Sequence, residues 1–98
     1  MKLMTKAIQK KLPKLNSQGY KKDPMVQVKY FCPWGNWTWY GIEFDGEDEF
    51  FGYVLGDCGE LGYFYLSELK TLKGPWGLGI ERDLYFSPKP LSEIKEAK

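Results

Sequence analysis

An α+β domain, with an antiparallel meander of four to five strands flanked by short helices, is the fold this chain predicts, on three observations. Ninety-eight residues suit a single hydrophobic core, spanning 1–98 as one domain. Residues 25–66 alternate apolar and polar side chains in short runs separated by turn sequences, the mark of antiparallel strands. Patterns of helical period lie on either side of that block, not between its runs.

The elements follow in chain order. In residues 1–13, Thr5 can cap a short basic helix that carries Ile8 and Leu12 on one face and ends at Pro13. Asn16, Ser17 and Gly19 then form a loop closed by Pro24. Val26, Val28 and Tyr30 alternate with Gln27 and Lys29 in the first strand, and the chain turns at the segment CPWGN. Trp37–Phe44 is the second strand, with Thr38, Tyr40, Ile42 and Phe44 on one face. Trp37, Trp39, Gly41 and Glu43 take the other. The segment DGEDE reads as a hairpin turn, because Asp-Gly between β-rich runs favours the required backbone twist. Phe50–Leu55 and Leu61–Leu66 complete the meander. Residues 67–73 read as a helix capped by Ser67, with Leu69 and Leu72 inward and Gly74 as its stop. The loop GPWGLG is expected to pin Trp76 onto the body, and residues 80–86 to form the last strand. The segment SPKP stops the strand, and in the tail of residues 88–98 the run LSEIKEAK reads as a frayed terminal turn of helix. The echo of LSELK in LSEIK is too short to count as a repeat.

Composition excludes several chemistries. The chain has no histidine, which removes Ser-His-Asp and Cys-His nucleophilic pairs and every histidine-based metal site. Cys32 and Cys58 lack Cys-x-x-Cys spacing and are expected as free thiols. No apolar run approaches the ~20 residues of a membrane helix. The lysine-studded N-terminus lacks the apolar stretch of a secretion signal, so the expected compartment is the cytoplasm.

A net charge of +1 hides a strong asymmetry. Residues 1–22 hold seven lysines and no acid. Between Lys29 and Lys70 there are eight acids and no base, namely Glu43, Asp45, Glu47, Asp48, Glu49, Asp57, Glu60 and Glu68.

The candidate site rests on that block and on the aromatics inside it. Trp37 and Trp39 either build the core under a lid, supplied by the N-terminal helix or the Trp76 loop, or form an exposed recognition surface. With Glu43, Asp45, Glu47, Asp48 and Glu49 they would make an acidic, aromatic face suited to a basic protein partner. The alternative is single-stranded nucleic acid stacked on Trp and Tyr and held by Lys6, Lys10, Lys11 and Lys14. Stacking proteins, however, pair their aromatics with a basic groove. A carboxylate-bound metal in a small enzyme is the least favoured reading, since the acid spacing does not match a cation loop. No catalytic residue, cofactor or metal ligand is assigned.

The run DPMVQVKYFCPWGNWTWYGIEFDGEDEFFGYV, with ELGYFYLSEL and IERDLYFSPKPLSE after it, resembles the family known as domain of unknown function 2958 over nearly the whole chain. The resemblance implies no assigned activity, cofactor or substrate. It implies a setting among accessory genes of plasmids, integrative elements and prophages, often near antirestriction genes. The combined expectation is a non-catalytic binding protein of the counter-defence kind, antirestriction or anti-CRISPR.

Overall fold

The computed structural model describes residues 2–17 and 22–96, and its core is a five-stranded antiparallel sheet buried on both faces. The turn residue Gly19 and the last two residues of the tail lie outside the described residues. Helix α1 spans Lys6–Lys11, strand β1 Met25–Val26, β2 Val28–Phe31, β3 Thr38–Phe44, β4 Glu49–Leu55 and β5 Gly59–Tyr65. Helix α2 (Leu66–Thr71), β6 (Glu81–Arg82), β7 (Lys89–Pro90) and helix α3 (Leu91–Glu96) complete the chain. The large sheet runs β5-β4-β3-β2-β6, and β1 pairs with β7 in a separate ribbon.

Each face of the sheet has its own apolar cover. On one face Val28, Tyr30, Phe44, Phe50 and Phe64 pack under Leu3, Leu12, Leu66, Leu69 and Ile80. On the other, Tyr40, Ile42 and Tyr53 pack under Val26, Leu91 and Ile94. Thr5 caps α1 by accepting the Ile8 N–H at 3.2 Å. The buried Tyr30 hydroxyl donates to the Leu3 carbonyl at 2.6 Å and ties the N-terminal segment down. Burial raises the Tyr30 pKa well above the ordinary phenol value.

A row of glycines crosses three strands beneath the first core. Gly41 pairs with Gly52, and Gly52 with Gly62. A Cβ on Gly41 would meet Val28 Cγ1 at 2.7 Å and Phe50 Cδ1 at 3.1 Å, and one on Gly52 would collide with the Tyr40 carbonyl oxygen. The space belongs to Phe50, fully buried, whose ring stacks on Phe64 with centroids 4.8 Å apart and lies 4.6 Å from Phe44.

Several expectations need correction. The register of β3 against β4 shifts between Gly41 and Glu43, so a bulge at Ile42 breaks the alternation. Tyr40 and Ile42 therefore face one core and Phe44 the other. The first strand is likewise split at Gln27: Val26 joins the second core while Val28 and Tyr30 join the first. The last strand is only Glu81–Arg82, because Asp83 turns the chain by accepting the Tyr85 N–H at 2.9 Å. Trp76 is 96% exposed with φ 56°, so its loop pins nothing, and Leu72 is also exposed. The C-terminal helical turn is present as α3 but not frayed over Leu91–Glu96, since Leu91 and Ile94 complete the second core, and Lys89–Pro90 add β7.

The echo of LSELK in LSEIK is a shared device. Asp48 accepts from both the N–H and the hydroxyl of Ser67, each at 2.7 Å. Asp23 does the same for Ser92, at 2.9 and 2.7 Å. The preceding leucines, Leu66 and Leu91, donate their N–H groups to the carbonyls of Asp48 and Pro24. A distant aspartate thus anchors the first turn of two helices too short to persist alone.

Two tests follow from the packing and the clasps. Gly52→Ala should cost about 3 kcal/mol or more in denaturant unfolding, because backbone must move. Gly62→Ala, whose added carbon meets nothing within 4 Å, should change stability by no more than ~0.5 kcal/mol. Serine donors hold Asp23, and the N–H groups of Glu47, Asp48 and Glu49 hold Asp45, with pKa values below the ordinary 3.8. A depressed folded-state pKa gives stability that is present above pH ~4 and lost as pH falls through the folded value. The Tm of Asp23→Asn and of Asp45→Asn should accordingly fall less than that of the parent between about pH 5 and pH 2.

Candidate functional site

The strands separate the two halves of the expected site. Trp37 precedes β3, whereas Glu43 and the acidic turn stand at its other end, about 20 Å away for seven residues. The antiparallel register instead brings Trp37 beside the turn between β4 and β5, since Thr38 pairs with Leu55. Trp37 and Trp39 stack with centroids 6.3 Å apart and planes 26° from parallel. Trp39 is half-buried against the first core, while Trp37 remains 47% exposed. Gly56 seats the Trp37 ring and Gly74 seats Trp34, because a Cβ at either position would enter the indole.

Trp37 stands between two hollows. One is an apolar cleft of about 350 Å³ lined by Cys32, Trp34, Trp37, Trp39, Leu72 and Ile80. Its lining carries no charge and suits an apolar side chain. The other, about 210 Å³, is lined by Trp37, Val54, Asp57, Cys58 and Glu60. An indole edge with two carboxylates suits a cationic side chain, by charge and by cation–π attraction. Cys32 is buried and Cys58 exposed, both as free thiols.

The acids assigned from sequence serve mostly the fold. Glu43 is 2% exposed and accepts the Asn16 N–H at 2.8 Å, so no partner reaches it. Asp45 Oδ1 accepts the N–H groups of Glu47, Asp48 and Glu49 at 2.8, 2.8 and 3.0 Å and shapes the hairpin turn. Asp48 anchors α2, and Glu49 accepts the Tyr65 hydroxyl at 3.4 Å. Glu47 is exposed. Asp57 and Glu60, absent from the sequence-based site, are acids that share a hollow with Trp37. Continuing the β3–β4 register by one residue, from Thr38–Leu55 to Trp37–Gly56, was the signal that could have found them.

The basic helix lies at the acidic end. Lys6 and Lys10 border a hollow with Gln9, whose amide donates to the Gly46 carbonyl at 3.3 Å. Lys11 and Lys14 flank the Leu12–Pro13 turn, and the Pro13 carbonyl accepts the Phe44 N–H. The lysines therefore do not join the tryptophans. Among the described residues none of them forms an ion pair with Asp45, Glu47, Asp48 or Glu49. Also among the described residues, no group of three or more carboxylates or thiols converges as a metal site, and no helix is long and apolar enough to cross a membrane.

No curated protein and no solved structure matches the chain. The model of one protein family, described as a protein of unknown function (DUF2958), matches residues 3–97. With nearly its whole length covered, the chain belongs to the DUF2958 family.

Proposed function

We propose that this chain is a non-catalytic accessory factor that binds a basic surface of another protein, with Trp37 as the anchor. The single observation that supports this reading is the half-exposed Trp37, stacked on Trp39 between an apolar cleft and a hollow edged by Asp57 and Glu60. Interface hot spots have this character, a large aromatic beside a pocket with charge at its rim. The partner's apolar side chain would enter the cleft of Trp34, Trp39, Leu72 and Ile80. An adjacent lysine or arginine would lie against Trp37 and the two carboxylates.

The setting implied by the family resemblance supports a mobile-element role of the counter-defence kind. A host defence enzyme that handles nucleic acid carries a phosphate-binding basic surface, and an acidic, aromatic protein can occupy it. Separation of Trp37 from Lys6, Lys10, Lys11 and Lys14 disfavours a stacking groove for single-stranded nucleic acid.

The test uses tagged protein and extract of the native host, with nuclease treatment to remove bridging nucleic acid. The expected result is a retained protein with a basic surface, bound more slowly as salt rises. Trp37→Ala should weaken that binding by about 2 kcal/mol or more. Asp57→Asn with Glu60→Gln should act mainly on the association rate. Retention that survives both changes, or a purified chain that shifts single-stranded DNA at physiological salt, would overturn the reading.

A further inference from the structure

The sheet has two edges of very different kinds. On one side β6 is only two residues long and so offers little to pair with. On the other side β5 runs seven residues without a register break, and among the described residues no strand pairs with its outer side. Natural sheets blunt such an edge with lysine, proline, a bulge or a cover. The sequence GELGYFY holds no lysine or proline, and its ladder with β4 is regular.

Hydrogen bonding tells which groups face outward. Leu66 N–H donates to the Asp48 carbonyl at one end of the β4–β5 ladder, and Gly56 N–H to the Cys58 carbonyl at the other. In an antiparallel pair the bonded positions alternate. The bonded residues of β5 are therefore Glu60, Gly62 and Phe64, and the outward N–H and carbonyl groups are those of Gly59, Leu61, Tyr63 and Tyr65. Tyr65 N–H is already taken by Glu68 Oε1 at 3.2 Å. Leu61 and Tyr63 share a face, opposite Tyr53 and Phe51, and are 51% and 54% exposed. An unpaired backbone and an apolar row thus coincide on one edge.

Charge brackets that edge. Asp57 and Glu60 lie at its start, and Asp48, Glu49 and Glu68 surround Tyr65 at its end. The charge of Glu49, then desolvation and the hydrogen bond to Glu49, and after these Glu68 and Asp48, raise the Tyr65 phenol above its ordinary pKa. One base approaches this face, Lys95, with Nζ 5.5 Å over the Tyr53 ring one strand inward. A second copy of the chain, running antiparallel about Gly62, would set Asp57 and Glu60 toward the other copy's Glu49 and Glu68. Like charges oppose that pairing, whereas an extended segment rich in lysine or arginine meets carboxylates at both ends.

The geometry points to the outer edge of β5 as a strand-addition site, where an extended basic segment of the partner pairs with Leu61 and Tyr63. The added strand would place alternate apolar side chains beside Leu61 and Tyr63, and its cations on the opposite face near Glu60 and Glu68. Its start lies beside the hollow of Trp37, Asp57 and Glu60, on the face opposite Leu61 and Tyr63. The inference rests on the proposed basic protein partner, and the experiment below separates the two.

The probe is an end-blocked peptide of about eight residues alternating lysine and valine, a usual strand length. Amide exchange of isotope-labelled protein is followed at low salt, with the glutamate–valine peptide as control. The Lys-Val peptide should bind below millimolar and slow exchange at Leu61 and Tyr63 at least about tenfold, and the Glu-Val peptide should not. Tyr63→Pro removes only an outward N–H and should keep the fold while abolishing the protection. Should that variant unfold, Leu61→Lys with Tyr63→Lys replaces it and should likewise abolish binding. The inference is overturned by any of three results: no binding at about 1 mM, binding without slowed exchange at these two amides, or protection that rises with protein concentration alone, which would mark a second copy. Applied to the captured host partner, loss with Tyr63→Pro supports strand addition. Loss with Trp37→Ala but not with Tyr63→Pro leaves the proposed function standing and ends this inference.

Discussion

Three glycines aligned across β3, β4 and β5 set the condition under which the rest of the molecule packs. Side chains of Gly41 and Gly52 would occupy the volume that Phe50 and Phe64 fill. Without them the two rings could not lie against the sheet, and the N-terminal segment and α2 would lose the surface that they cover. Rigid stacked aromatics bury large apolar area at low entropy cost, which suits a domain of this size. The outermost glycine, Gly62, has open space above it, so the constraint fades toward the β5 edge.

A second constraint is the bulge at Ile42. It turns Tyr40 and Ile42 to one core and Phe44 to the other, so one strand serves both faces. Both faces are then covered, one by the N-terminal segment with α2 and the other by α3. Among the described residues, the far end of the first face, where Trp37 projects beyond the last strand pair, and the outer side of β5 are both exposed.

The acidic block has two physical roles that composition alone merges. Asp45 and Asp48 hold backbone donors, in the hairpin turn and at the start of α2, and Glu43 is enclosed. Carboxylates accept such N–H groups strongly, which makes them structural anchors even where solvent reaches them. Asp57 and Glu60 border the Trp37 hollow, where charge remains to act on something outside the chain. A run of acids therefore marks a surface only after its internal hydrogen bonds are accounted for.

The sequence by itself determined the fold class, the antiparallel meander, the Thr5 cap and the DGEDE turn. Those features depend on local period and on residues whose backbone preferences act over a few positions. It also carried the family resemblance and the charge asymmetry. Only the tertiary structure decided which face each side chain takes, because one extra residue at a bulge reverses alternation beyond it. The use of Asp23 and Asp48 as clasps was equally hidden, since the partners Ser92 and Ser67 are 69 and 19 residues away. The ordering of α3 depends on the second core, not on its own weak helical pattern. Trp37 meets Asp57 and Glu60, not the Asp45–Glu49 turn, because antiparallel strands bring the start of one beside the end of the next.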